Sequence, residues 1–287
     1  LGYVVPFDIL NTALKKIENC NARYYGLETI QQAILQDNSW QIQLTNSNIT
    51  AKLLVGADGA DSIVRKLANI AATTVDYKQS AIISNIQIEN NHKNTAYERF
   101  VANGAIAMLP FGNANTMKFV WSLDTNKAEK LLTYNDHDFL RLVQNEFGNK
   151  LGNLQDIGKR MLLPLKCTVA TQLVGNRAVL IGNAANAMHP IAAQGLNLGL
   201  RDVASLAELL HNSFDAGDSE LLNKYAAWRY DDHKIINKLT HILTKDFRGR
   251  DSMMTMLDLI PSAKKYFTKR ACGLNNNLPK LSLGIAL

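Results

Sequence analysis

Cysteine is scarce in this sequence, and its spacing excludes the usual metal and disulfide motifs. The 287 residues include three cysteines, Cys20, Cys167 and Cys272. They lie far apart and form no Cys-x-x-Cys pair or His/Cys cluster. We therefore predict no metal ligands and reduced thiols, as in most cytoplasmic proteins. No Ser/His/Asp or Cys/His arrangement for nucleophilic catalysis is recognisable either.

Long apolar runs are also absent. No signal peptide is recognisable, and no segment reads as a membrane span. The 23 residues between Arg177 and Arg201 carry no formal charge, but they contain three Asn, a His, a Gln, a Pro and three Gly, which are costly in lipid. We expect a cytoplasmic protein, with attachment to the inner face of the membrane as an alternative. Because the chain starts at Leu1 with residues typical of the interior of a protein, we interpret it as a fragment.

Charge of one sign is not concentrated anywhere. The formal net charge is +6, from 31 Lys and Arg against 25 Asp and Glu, and the basic residues are spread along the chain. We therefore expect no nucleic-acid partner, although a mildly basic chain suits an anionic cofactor or a lipid surface. The length allows one large domain or two modest ones.

The most informative stretch runs from residue 177 to residue 203. A short apolar run, Ala-Val-Leu-Ile, ends at Gly182 and is typical of a buried strand in a mostly parallel sheet. Ligands of such sheets bind where the strand ends and the next helix begins, because the first helical amides attract negative charge. An ordinary strand-loop-helix unit of the core is the alternative.

The helix of this stretch is predicted from about Gly195 to His211. Apolar residues recur there at helical intervals, namely Leu196, Leu200, Val203, Ala207 and Leu210. Gly195 and Gly199 lie one turn apart, and a face without side chains would let a flat ring or another backbone come close.

A second informative stretch begins with the predicted strand 52–55. It ends in Gly56-Ala57-Asp58-Gly59, and Ser62 or Asp61 then caps a helix that runs to about residue 68. The pattern places the Asp58 carboxylate at the carboxyl end of a strand, beside a glycine that permits close approach. Arg65 is predicted to pair with Asp58 or with phosphate, or else to be a solvated helix charge.

The rest of the chain reads as strands and helices in blocks. Strands are predicted at 23–31, 33–36, 40–45, 81–89, 95–101, 104–110, 116–124 and 157–169, and helices at 9–17, 126–132, 136–147 and 219–244. The block 79–170 indicates a mainly antiparallel sheet. Ser219 is a candidate N-cap of the long helix. Arg229 and His233 are expected to be outward-facing polar residues of a packing helix, with a catalytic role as the alternative. The Met-rich run at 253–260 is followed by four basic residues, Lys264, Lys265, Lys269 and Arg270. It favours packing or dimerisation, with a membrane surface as the alternative.

Two segments resemble the internal flavin motifs of the group A aromatic hydroxylases, the para-hydroxybenzoate hydroxylase-like flavoproteins. GNAANAMHPIAAQGLNLGLRDV resembles their second flavin motif, and LLVGADGADSIVR resembles their Asp-Gly signature. LGYVV and YERFVANGAIAMLP are similar to the ubiquinone-biosynthesis branch. An asparagine at position 183, where most members have aspartate, is most similar to the 2-octaprenyl-6-methoxyphenol hydroxylases of that branch.

The resemblance implies an α/β fold with a Rossmann-like FAD-binding domain, formed by residues 1–78 and 171–212. Residues 79–170 would form an inserted substrate domain, and 213–287 a C-terminal helical region. No Gly-x-Gly-x-x-Gly segment is present, so the N-terminal strand-turn-helix that binds the pyrophosphate is missing. We expect this chain alone to hold FAD weakly and to be inactive.

The resemblance also assigns binding residues. Asp58 and Gly59 would contact the ribose and pyrophosphate side, Asn183 beside Gly182 and Ala184 would hold the ribityl chain, and the amides after Gln194 at Gly195, Leu196 and Asn197 would face the flavin ring. Pro190 would line that ring and His189 would touch substrate, or His189 would be a buried histidine bonded to backbone. Ala193, where the family often has glycine, would add a methyl group beside the flavin.

The implied activity is hydroxylation of a polyprenylated phenol through a flavin hydroperoxide, with NAD(P)H as electron donor and dioxygen as oxygen source. Two alternatives are a flavin-dependent reductase of an isoprenoid lipid and a non-catalytic scaffold of a quinone-synthesis assembly. Expected partners are the phenol, a quinone-synthesis complex or membrane surface, and a second copy of the chain.

Overall fold

The computed structural model describes residues 2–15, 22–26, 28–102, 104–191, 193–245, 259–271 and 277–287. Its helices are α1 (Phe7–Lys15), α2 (Ile63–Leu67), α3 (Thr125–Leu132), α4 (Asp136–Phe147), α5 (Gly195–Leu210), α6 (Ser219–Lys245) and α7 (Pro261–Ala271). Its strands are β1 (Ile30–Gln36), β2 (Ser39–Leu44), β3 (Asn48–Ala51), β4 (Leu54–Gly56), β5 (Ala72–Ile88), β6 (Tyr97–Val101), β7 (Gly104–Pro110), β8 (Thr116–Asp124), β9 (Leu154–Ile157), β10 (Met161–Ala170), β11 (Val174–Gly175), β12 (Ala178–Leu180) and β13 (Asn186–Ala187).

The chain forms two compact units. One comprises Leu1–Arg23 and Asp76–Leu165, and the other comprises Tyr24–Val75 and Lys166–Leu287. The division differs from the predicted boundaries at 78/79 and 170/171 by a few residues. It also groups residues 1–23 with the sheet-rich unit, and it groups 213–287 with the second unit instead of setting them apart.

The first unit is built on an antiparallel sheet. Strands β5, β8, β7 and β6 are neighbours in that order, and β9 pairs with β5. Its core lies between this sheet and helices α3 and α4, around fully buried Phe119, Trp121 and Phe139. The predicted antiparallel sheet and both helices are therefore confirmed. The strand predicted at 157–169 is confirmed from Met161 onward as β10. Its start is wrong, because β9 ends at Ile157 and the chain breaks where the Gly158 carbonyl accepts from the Ser84 hydroxyl at 2.8 Å.

The second unit contains two small sheets. Strands β1, β2 and β3 form an antiparallel meander, and β12 lies between β11 and β4, pairing in parallel with β4. Asp37-Asn38-Ser39 is a turn signal in the sequence. The turn it predicts between β1 and β2 is confirmed, with φ of 47° at Asp37 and 60° at Asn38, angles that Asp and Asn tolerate better than most residues. The strand predicted at 23–31 is wrong for its first part, because β1 begins only at Ile30.

Strand β12 is buried on both faces, as its apolar run predicts. Ala178 and Leu180 pack in a cluster that includes Trp40, whereas Val179 points to the opposite side and packs on Tyr225. All three strand residues have no exposed surface. This double burial is typical of the central strand of an α/β sheet.

Helix α5 matches the predicted span but not the predicted buried face. The apolar stripe of Leu196, Leu200 and Val203 is exposed to 61%, 54% and 47%. The buried face instead carries two charged side chains, Arg201 and Asp202, beside apolar and small ones. Helical periodicity located the helix, but the charges on the opposite face bind partners that the pattern does not reveal.

Helix α6 is capped by a different residue from the one predicted. The Asp218 carboxylate accepts from the backbone amide of Leu221 at 2.9 Å, so Asp218 and not Ser219 is the N-cap. Among the described residues no helix is both long and apolar enough to span a membrane. Lys264, Lys265 and Lys269 on α7 are exposed, and the Met-rich run up to residue 258 lies outside the described residues.

Candidate functional site

A tight turn follows strand β12 and forms the centre of the candidate site. Gly182–Ala184 is a single 3-10 turn in which Gly182 has φ of +56°, a conformation that favours glycine. A Cβ atom added to Gly199 on α5 would lie 3.2 Å from the Gly182 Cα. Gly199 therefore serves the approach of another backbone. The space around Gly195 is less restricted, because a Cβ atom added there would have the Met188 Cγ at 3.8 Å as its nearest neighbour.

The two motifs, distant in sequence, lie side by side. The Ile181 amide donates to the Gly56 carbonyl at 2.9 Å. The Arg65 guanidinium donates from Nη1 to the Ala184 carbonyl at 2.9 Å and from Nη2 to the Ala60 carbonyl at 2.7 Å. Arg65 is only 7% exposed. Two of the roles predicted for Arg65 are therefore wrong, because it neither pairs with Asp58 nor extends into solvent, but joins the two motifs. Pairing with a phosphate stays a prediction.

The Asp58 carboxylate is held by the start of α2. Oδ1 accepts from the Ser62 hydroxyl at 2.5 Å, and Oδ2 accepts from the amides of Ile63 at 2.6 Å and Val64 at 3.1 Å. Partial burial alone would raise the pKa of Asp58, but these hydrogen bonds hold it below its usual value. Ser62 caps α2, as predicted. Asp58 is exposed, and the adjacent Gly59 has φ of +87°, so the cofactor contact predicted for them stays a prediction.

The loop before α5 leads into a helix whose first turn carries exposed residues. Leu196 and Asn197 are exposed, as is Asn183 in the turn after β12. Gln194 is buried at the N-cap position without a side-chain capping bond. The first helical amides have no partner inside the helix, so this end of α5 favours an anionic or electron-rich group.

His189 is buried, whereas the adjacent Pro190 is exposed. The Ile191 amide donates to His189 Nδ1 at 3.2 Å, as in the alternative of a buried histidine bonded to backbone. Burial lowers the pKa of His189 to about 4, so its imidazole is neutral at pH 7. Ala193 has φ of +47°, a backbone conformation that favours glycine. Glycine is the residue that the flavin hydroxylases often have at this position.

A buried charge network lies beneath the turn, and sequence reasoning missed it. Asp202 has no exposed surface. Its Oδ2 accepts from the Gly182 amide at 3.1 Å, and its Oδ1 accepts from Arg229 Nε at 2.8 Å and interacts with His233 Nε2 at 2.9 Å. The expectation that Arg229 and His233 face outward is therefore wrong. Their i, i+4 spacing on α6 was the available signal, because it places both on one helix face.

The network continues to a second acid and a second base. Arg201 Nε donates to Asp232 at 2.7 Å, and Arg229 Nη2 donates to the same carboxylate at 2.7 Å. Burial alone would raise the pKa of Asp232, but Arg201 and then Arg229 hold it below its usual value. Burial alone would likewise lower the pKa of Arg229, but Asp202 and Asp232 raise it. Two acids and two bases thus compensate one another in the interior.

The turn after β12, the start of α5 and the Asp-Gly motif together define the class of protein. A parallel strand pair, a glycine turn and an exposed helix N-terminus form the ligand site of a nucleotide-binding α/β protein. Among the described residues no group of three or more His, Cys, Asp or Glu side chains could hold a metal ion.

The chain belongs to the family described as FAD binding domain, whose model matches residues 29–237. It is 30% identical to slr1300, an uncharacterized protein of Synechocystis sp., over all of this chain and 73% of that protein. It is 32% identical to the 3-demethoxyubiquinol 3-hydroxylase of Escherichia coli, over 99% of this chain and 73% of that protein. It is 33% identical to the ubiquinone hydroxylase UbiL of Rhodospirillum rubrum, over 83% of this chain and 59% of that protein.

Solved structures agree on the fold. PqsL of Pseudomonas aeruginosa, a probable FAD-dependent monooxygenase, superposes with a TM-score of 0.69 at 19% identity, over 80% of this chain and 66% of that chain. The anhydrotetracycline hydroxylase OxyS of Streptomyces rimosus gives 0.66 at 20% identity, over 94% and 56%. The predicted α/β fold, the resemblance to ubiquinone-branch flavin hydroxylases and FAD as cofactor are confirmed. The chain spans only part of the length of these proteins.

Proposed function

We propose that the protein is a flavin-dependent monooxygenase that hydroxylates a polyprenylated phenol in ubiquinone biosynthesis. Its relatives include a ubiquinone hydroxylase and a demethoxyubiquinol hydroxylase, which supports the substrate class. The observation that carries the proposal is the contact between the Gly182 turn and α5 at Gly199. It assembles the two halves of the second flavin motif into one surface.

The residues present fit FAD, which when bound supplies the redox and oxygen-transfer chemistry. The amides of Gly195, Leu196 and Asn197 would stabilise negative charge on the ring system. The Asn183 side chain is exposed at the turn and has an amide oxygen that can accept from a ribityl hydroxyl. His189 would contribute a neutral imidazole, so it would add no positive charge next to the flavin.

FAD binding by the 287-residue chain alone should be weak. The described site would contact the flavin ring and the ribityl chain, but the sequence contains no Gly-x-Gly-x-x-Gly turn for the pyrophosphate. After incubation with excess FAD and desalting, the protein should therefore show little flavin absorbance. Stoichiometric retention of flavin would show that the affinity resides in the motifs described here.

Isotope labelling tests the activity. The whole protein, given a prenylated methoxyphenol, NADH or NADPH and ¹⁸O-labelled dioxygen, should place one labelled atom on the aromatic ring. Label confined to water or peroxide would favour the reductase alternative, and the absence of turnover would favour a scaffold. Either result would contradict the proposal.

We also propose, as its site of action, attachment to a membrane surface through α7. The support is the exposure of Lys264, Lys265 and Lys269 on α7 and of Leu259, which lies two residues before the helix and is 75% exposed. Basic and apolar side chains together favour anionic lipid. Co-sedimentation with vesicles containing phosphatidylglycerol should exceed that with pure phosphatidylcholine. Equal sedimentation would leave a quinone-synthesis complex or a second copy of the chain as the partner.

A further inference from the structure

The buried charge network around Asp202 binds the backbone of the candidate site at the Gly182 amide. The Gly182 amide donates to Asp202 Oδ2 at 3.1 Å, and Gly182 begins the turn that presents Asn183. The other carboxylate oxygen is bound by Arg229 and His233 from α6. Helix α6 is thus linked to the turn through one carboxylate, although neither Arg229 nor His233 contacts the turn in the described hydrogen bonds.

We propose that Asp202 is a positioning residue for the flavin, and that Arg229 and His233 orient it. This inference rests on the proposed FAD site. Gly182 adopts φ of +56°, and its amide is held by Asp202 at 3.1 Å. An ionised carboxylate offers acceptors on both oxygens, so it can bind the Gly182 amide and the α6 donors at the same time.

An asparagine at position 202 could not replace this carboxylate. Its single oxygen would be taken by Arg229 or by the Gly182 amide, and its NH₂ group would then face a second donor. Arg229 is 2% exposed, so its charge must also remain compensated if the protein is to fold. A test of positioning must therefore remove an acid and a base together.

The network itself provides a matched pair of variants. Asp202→Leu with Arg229→Gln removes one acid and one base and leaves Arg201 paired with Asp232. Arg201→Gln with Asp232→Leu removes the other acid and base and leaves Arg229 paired with Asp202. Each variant removes one positive and one negative charge, one from each of the same two helices, but only the first removes the acceptor of the Gly182 amide.

Two readouts separate positioning from a general structural role. In the first variant, hydrogen exchange at the Gly182 amide should accelerate at least about tenfold, and the FAD dissociation constant, titrated up to millimolar FAD, should rise roughly tenfold. In the second variant both should stay within about twofold of wild type. Equal effects in the two variants, or no effect in the first, would overturn the proposal.

The wild-type protein provides a check that needs no variant to fold. The Gly182 amide should exchange at least about tenfold more slowly than the amide of Asn183, because only the former is bound by Asp202. Equal exchange of these two amides would overturn the proposal. If the whole wild-type protein fails to bind FAD, the proposed function fails, while the Gly182 exchange rates still decide the role of Asp202 in the turn.

Discussion

Replacing Arg65 should weaken the connection between the two flavin motifs. Arg65→Met removes two hydrogen bonds from a charged donor, at 2.9 Å and 2.7 Å to the carbonyls of Ala184 and Ala60. Such bonds contribute roughly 1.5–3 kcal/mol each, and part of this is offset because the buried cation also disappears. We expect the free energy of unfolding to fall by about 2–4 kcal/mol.

Urea unfolding followed by circular dichroism would measure this loss. Arg65→Lys keeps the charge but cannot reach both carbonyls in the same planar geometry, so we expect an intermediate loss. Lys66→Met is the matched control, because Lys66 is exposed on the same helix and should change stability by no more than about 0.5 kcal/mol. An Arg65→Met variant as stable as this control would refute the assigned role.

Three further substitutions test the loop and the turn. Asn183→Asp should keep FAD affinity, whereas Asn183→Leu should weaken it by roughly 0.5–1.5 kcal/mol; equal dissociation constants in a flavin titration would exclude Asn183 as a ligand. Burial lowers the pKa of His189 to about 4 in the folded protein, against an ordinary 6.5. Between these pH values only the unfolded state binds the proton, so the free energy of unfolding falls as the pH drops from 6.5 to 4, by up to about 3 kcal/mol. His189→Asn should flatten this slope in urea titrations, and an unchanged slope would argue against a neutral, buried imidazole. Ala193→Gly should stabilise the protein by about 0.5–1 kcal/mol, because Ala193 has φ of +47°; a lower melting temperature would contradict the strain.

Local sequence patterns predicted most elements of the fold. The apolar run at 178–181 and the helical spacing from Gly195 are properties of neighbouring residues, so strand β12 and helix α5 could be located from sequence alone. The Asp37-Asn38 turn and the Ser62 cap were predicted for the same reason, since each depends on a side chain near the backbone it serves.

Features that depend on distant residues could not be predicted. Asp202 is buried because Arg229 and His233 on α6 approach it, and no local pattern specifies which face of α5 meets that helix. The exposed Leu196, Leu200 and Val203 show the consequence, because the more apolar stripe of α5 is not the buried one. Arg65 was misplaced likewise, since its partner at Ala184 lies 119 residues away.

Hydrogen exchange with and without FAD tests the central claim most directly. At FAD concentrations high enough to saturate weak binding, the backbone amides of Gly182, Asn183, Gly195, Leu196 and Asn197 should become protected, because the account places the flavin against this turn and this helix N-terminus. Protection confined to other segments, or no protection at these five amides in a protein that demonstrably binds FAD, would contradict it.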